Sequence, residues 1–148
     1  MLVKIIATFI ATVAFAKLFN APTKTLVPTG LVGTAGFAVY IFLIELWGCS
    51  SMLSNFAGTV VLSVLSEIFA RVYKEPVTIF SIPGIIPLVP GLPLYQAMNY
   101  FVLDAYNVGL TKFMQAFLDA VAIAMGIMLI SSLARAYRRG KEMARSIR

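Results

Sequence analysis

Ser81-Ile82-Pro83-Gly84-Ile85-Ile86-Pro87-Leu88-Val89-Pro90-Gly91-Leu92-Pro93-Leu94-Tyr95-Gln96 places four prolines within eleven residues, inside an apolar run that covers residues 77–101. An interior proline has no amide hydrogen and crowds the carbonyl four residues back. One regular helix therefore does not pass through this stretch, and the carbonyls of Ile79, Pro83, Ile86 and Val89 are expected to lose their helical donors. At about 1.5 Å per residue the run is still long enough to cross a hydrocarbon core of about 30 Å, with Pro87 near its middle. Irregular backbone at that depth is tolerated only where it is buried in protein or lines a watery cavity. The break thus predicts a cavity or a tight helix crossing. Pro93 suits the first turn of a second half-helix through Tyr95, Gln96 and Asn99, whose N-terminal amides would favour an anionic group. Gly84 and Gly91 open the backbone to close approach. A purely structural kink is the competing reading.

Outward from this segment the chain keeps the same character. Of its 148 residues 60% are hydrophobic and 12% charged, against about 45–50% and about 25% in soluble domains. Such a chain needs a lipid bilayer as its solvent, and its length suits one all-α transmembrane domain over residues 1–148. Five spans are expected, at 2–19, 26–47, 52–70, 77–101 and 112–137, with a basic tail over 138–148. Lys4 and Lys17 snorkel at the ends of the first span. Lys4, the apolar stretch after it and Ala14-Phe15-Ala16 also fit a secretory leader with its cleavage site. In the second span Pro28 lies near the helix start, Trp47 anchors an interface, and Gly30, Gly33 and Gly36 offer a small surface for close packing. If the tail is cytoplasmic, ten of the twelve basic residues lie inside, leaving Lys4 and Lys112 outside with the N-terminus.

Polar residues within the spans mark candidate sites. Asn55, Thr59, Ser63, Ser66 and Glu67 fall within an arc of about 120° on the third span, at about 100° per residue. Polar groups in lipid turn towards the bundle interior or a wet cavity, although hydroxyls there also serve ordinary interhelical hydrogen bonds. On the fifth span Gln115, Asp119, Ala122 and Gly126 share a narrow face. Asp119 lies about two turns from the expected start of that span, which makes it a functional candidate beside the reading of an ion pair or a headgroup-level carboxylate. Glu67 precedes Arg71 by four residues, so an ion pair along the helix explains it as well. Glu45 and Asp104 lie near outer ends and are expected to be solvated.

Several classes of chemistry are disfavoured. The chain has no His and one Cys, Cys49, which leaves no internal disulfide, no His general base and no metal-ligand spacing; no metal and no cofactor are expected, and the chain does not read as an enzyme. The net charge of +6 collects at span ends and in the tail, not in a groove interleaved with aromatics, so nucleic acid is not an expected partner.

Pro83-Gly84-Ile85-Ile86-Pro87-Leu88-Val89-Pro90-Gly91, followed by Pro93-Leu94-Tyr95, resembles the signature stretch in the C-terminal membrane half of the threonine/serine exporter (ThrE) family. That half also exists as a separate short protein, the YjjB-like small subunit of a two-component exporter. The resemblance extends to Ser66-Glu67 and to Ser131-Ser132-Leu133-Ala134-Arg135. It implies a multi-pass protein of the bacterial inner membrane that exports small carboxylate-bearing metabolites, threonine and serine or dicarboxylates such as succinate, driven by the proton gradient. It also implies a larger partner subunit resembling the family's N-terminal half, which this chain lacks. On this reading the substrate path is built from Pro83, Gly84, Pro87, Pro90, Gly91, Pro93, Tyr95, Gln96, Asn99, Ser63 and Gln115. Glu67 and Asp119 would handle protons or a substrate ammonium. The alternative is a non-transporting scaffold that stabilises a larger partner. Broad apolar faces also suit association with a second copy, or cover by lipid.

Overall fold

A computed structural model describes residues 1–146, with side chains described through residue 137. The expected solvation of the basic tail, 138–148, lies outside the described side chains. Six helices and no strand make up the described residues: α1 (Leu2–Leu18), α2 (Leu26–Trp47), α3 (Ser51–Tyr73), α4 (Thr78–Ile85), α5 (Gly91–Val102) and α6 (Tyr106–Ser146). Three segments are long and apolar enough to cross a membrane, Thr23–Trp47, Ser51–Tyr73 and Tyr106–Tyr137; Thr78–Leu88 and Gly91–Val102, bent by 48°, make a fourth if they form one span. The 17 residues of α1 are at the short end of spanning length.

Local chemistry explains the boundaries. Pro28 sits in the first turn of α2, where its missing amide costs no helical bond, and Gly48 ends the helix in the left-handed conformation at φ 62°. Ser50 caps α3 by accepting from the Leu53 amide at 3.4 Å. The last helix corrects the expectation of a start at residue 112. Nothing between Tyr106 and Lys112 breaks a helix, and Asp104 at φ 58° makes the turn that separates α5 from α6. Gly109 is accommodated because Phe101 packs onto it; an added Cβ would meet that ring at 2.6 Å.

Small residues set the packing, as they must where lipid removes any hydrophobic drive between helices. Helix α2 lies between α1, α3 and α4, while α3 and α5 both pack against α6. Gly30 receives Phe9 and Val13 of α1, and Gly33 receives Thr12 on one side and the Gly84 backbone on the other. Gly36 faces Gly58, so that the α2 and α3 backbones touch. The expected packing role of Gly30, Gly33 and Gly36 is therefore what the structure shows. Phe80 fills the space between α4 and α3, with its ring 6.2 Å from Phe69 and 6.1 Å from Tyr73.

Ion pairs sort the bundle into two ends. Lys4 and Glu45 pair at 2.7 Å at one end; Lys24 and Glu75 pair at 2.8 Å at the other, joining the α1–α2 and α3–α4 connections. That pair brings the two connections together at one end of the bundle. Ser51 meets Asp119 across the α3–α6 seam, so the 13 residues of α6 before Asp119 (106–118), about 20 Å of helix, run beyond the start of α3 and are flanked by α5.

Candidate functional site

The break itself is more fully hydrogen-bonded than four prolines suggest. Pro83 sits inside α4, not at its end, and the chain passes from α4 into a 3-10 turn at Ile86–Leu88. The Val89 amide donates to the carbonyls of Ile85 and Ile86, each at 3.2 Å, and the Gly91 amide donates to Val89 at 2.7 Å. Pro90, at φ −74° and ψ 55°, is the centre of that inverse γ-turn. The carbonyls of Ile86 and Val89, expected to be stranded, are thus satisfied locally, which corrects the expectation of unpaired backbone there. The same turn consumes a donor at the head of α5. Pro93 has no amide hydrogen and Leu94 donates to Pro90 at 3.2 Å, so few amides of that first turn are left to face an anion.

Of the break residues, Pro83 and Gly84 are buried, Pro87, Pro90, Pro93 and Gln96 are half-buried, and Gly91, Tyr95 and Asn99 are exposed. Val89, Pro90 and Leu94 border a cavity of about 230 Å³ whose far wall is Phe113, Ala116 and Phe117 of α6. That wall is apolar. α4 rests on α3, but the break and α5 meet an apolar stretch of α6, and neither Ser63 nor Gln115 borders that cavity.

The polar chemistry lies on the seam between α3 and α6. Ser54, Asn55, Thr59, Ser63 and Ser66 are all buried, so the polar arc of α3 faces inward as its spacing requires. Thr59 and Ser66 donate to the carbonyls one turn back, at 2.7 and 2.9 Å, and are structural. The Asn55 Oδ1 and Ser63 Oγ atoms are buried without a partner. Gly126 lets α6 come close: a Cβ there would lie 3.1 Å from Thr59 Cβ and 3.2 Å from the Phe56 carbonyl. On the same seam Asp119 is buried to 2% exposure. Its Oδ2 accepts from Ser51 Oγ at 2.8 Å, and Ser51 Oγ in turn accepts from Asn55 Nδ2 at 3.5 Å. Among the described residues no Lys or Arg lies within ion-pair distance of Asp119. Ser51 opens α3, so the carboxylate sits at the positive end of that helix's dipole.

The other candidates do not join this cluster. Gln115, expected on the same face as Asp119, is exposed; one turn nearer the start of α6, it has passed the beginning of α3 and nothing there covers it. Glu67 lies 3.5 Å from Arg71 on the same helix, beside a groove of about 310 Å³ that includes Ile130, Leu133 and Tyr137. Sixteen residues of helix separate it from Ser51, about 24 Å, so the two carboxylates are at opposite ends of α3. Sequence reasoning missed Ser51, Thr8 and Thr12. The buried threonines donate to Lys4 and Thr8 carbonyls at 2.8 Å each, and the signal for them was the four-residue spacing Thr8, Thr12, Ala16.

Comparison with known proteins bears on this geometry. The family model described as Threonine/Serine exporter, ThrE, matches residues 4–133. The chain is 31% identical over 136 residues to a threonine/serine exporter of Corynebacterium glutamicum, covering 92% of this chain and 27% of that protein. It is 25% identical over 122 residues to a probable threonine/serine exporter of Mycobacterium tuberculosis, covering 81% and 23% respectively. The chain thus spans about a quarter of the length of these curated relatives. No solved structure matches it. A six-helix apolar bundle carrying the proline-broken segment, matched along nearly its whole length by the family model, belongs to the threonine/serine exporter (ThrE) family.

Proposed function

We propose that the chain is a membrane subunit of a secondary exporter of small carboxylate-bearing metabolites, threonine and serine first among them, working with a larger partner subunit in the bacterial inner membrane. The observation that carries this reading is Asp119, a buried carboxylate with no cationic partner among the described residues, in a family of exporters. Ionisable groups held inside a membrane bundle are costly and rare, and they mark substrate, ion or proton pathways. On this reading the two pieces of the broken segment, bent by 48°, make one complete crossing and α1 another, giving five spans; with the basic tail cytoplasmic the N-terminus lies outside. The break then shapes the path, while the α3–α6 seam supplies its polar groups. The names of the relatives favour threonine and serine over dicarboxylates.

The test is efflux from proteoliposomes loaded with labelled threonine, serine or succinate, with this chain, with and without the larger subunit, and with the proton gradient applied or collapsed. Gradient-dependent efflux of threonine and serine that requires this chain is the expected result. Equal efflux with and without it would leave the scaffold reading in place and overturn the exporter role.

A further inference from the structure

We propose that Asp119, Asn55 and Ser51 form the subsite for the ammonium group of the transported amino acid; the proposal rests on the exporter reading and deepens it. Three side chains linked on the α3–α6 seam carry oxygens with acceptor capacity to spare. Asp119 uses Oδ2 to accept from Ser51, and its Oδ1 is left to accept from a ligand. Asn55 commits its Nδ2 to Ser51 and leaves Oδ1 buried without a donor, at 2% exposure of the residue. Ser51 Oγ donates to Asp119, accepts the long 3.5 Å contact from Asn55, and keeps a second lone pair. The cluster is therefore rich in acceptors, carries one negative charge and has already used its own hydroxyl donor. A primary ammonium is the complement: three N–H donors, no acceptor and one positive charge. Hydrogen bonds between charged partners of this kind are about twice as strong as neutral ones.

This composition also discriminates between substrates. An amino acid brings the cation that the cluster lacks. A dicarboxylate brings none and would set a second negative charge beside Asp119, where burial weakens screening. A cavity of about 300 Å³ lies beside the cluster on the same seam, bordered by Ser50, Met52, Leu53, Phe56, Ala122 and Met125; Ser50 adjoins Ser51 in sequence and Ala122 is one turn of α6 from Asp119. Asn55 and Ser51 thus become specificity-determining residues. A buried amide oxygen without a donor is otherwise a deficit, and the bound ammonium removes it.

Equilibrium binding of labelled threonine to the full chain in nanodiscs tests the subsite. Serine is expected to compete, and succinate and 3-hydroxybutanoate, which is threonine without its amino group, are expected to compete at least roughly tenfold less well. Asp119→Asn and Asn55→Leu are each expected to weaken threonine binding roughly ten- to hundred-fold. The competitor series uses the unaltered protein, so it decides the matter even where a variant fails to fold. Competition by 3-hydroxybutanoate equal to that by serine overturns the ammonium subsite alone. Displacement of threonine by sodium at equal concentration overturns it in favour of an alkali-cation site. Absence of any threonine binding to the unaltered chain, while the complete two-subunit exporter binds threonine, overturns both the subsite and the role of this chain as the one that holds substrate.

Discussion

Threonine efflux is expected to fall about ten- to hundred-fold when Asp119 is replaced by asparagine, with the fold retained. The amide keeps the shape of the side chain and an oxygen to accept from Ser51 Oγ, which lies 2.8 Å from the carboxylate of Asp119. Only the charge is removed. A charged hydrogen bond to a buried partner is worth about 1.5–3 kcal/mol, which converts to about that range of rate or affinity. Stability is expected to hold or rise, because a neutral amide is less costly to bury than a carboxylate without a cation. Asp119→Ala is a different change: it leaves the Ser51 hydroxyl without its acceptor and opens a void, so thermal unfolding should move down. Efflux together with the unfolding midpoint separates these cases. Equal efflux by the asparagine variant and the unaltered chain would remove Asp119 from the path.

The second large effect is structural. An added Cβ on Gly58 would lie 2.6 Å from the Gly36 carbonyl oxygen, and one on Gly36 would lie 2.9 Å from the Gly58 carbonyl oxygen. Both obstacles are backbone, which no rotamer change relieves. Gly58→Ala is expected to cost about 1–3 kcal/mol and Gly58→Leu more than that, enough to abolish accumulation of folded protein. The control is Gly91→Ala, since nothing lies within 4 Å of a Cβ at that position and its φ is not positive. That variant should unfold within about 0.5 kcal/mol of the unaltered chain. Fluorescence-monitored gel filtration after a temperature ramp measures all three. A Gly58→Ala protein as stable as the original would show that α2 and α3 do not meet through these two glycines.

How much of this was readable in advance follows from which interactions are local. The bounds of α2 were legible, because Pro28 and Gly48 act on their own turns. So was the inward polar face of α3, since it depends only on helical period and on the cost of polar groups in lipid. Asp119 was legible as an anomaly. Its donor was not, because Ser51 is 68 residues away in sequence and opens a different helix. Gln115 shared the periodic face of Asp119, yet the level at which α3 begins is a tertiary fact, and that level leaves Gln115 uncovered. Gly58 went unnoticed for the same reason: one glycine on α3 acquires meaning only from its partner on α2. At the break the prolines were read correctly as ruling out one regular helix through the stretch, although Pro83 itself sits inside α4. The 3-10 turn and the γ-turn that re-use the freed carbonyls depend on the dihedral angles of Val89 and Pro90, which proline spacing does not specify.

Asp119 and Glu67 now carry opposite expectations, and one paired measurement decides between them. Threonine efflux from proteoliposomes holding the complete exporter is compared for Asp119→Asn and Glu67→Gln at equal reconstituted amounts. Asp119→Asn is expected to lose about tenfold or more, while Glu67→Gln, whose carboxylate lies 3.5 Å from Arg71 at the far end of α3, is expected to keep efflux within about twofold. Full efflux by Asp119→Asn with loss in Glu67→Gln would contradict the placement of the transport site on the Ser51–Asn55–Asp119 seam.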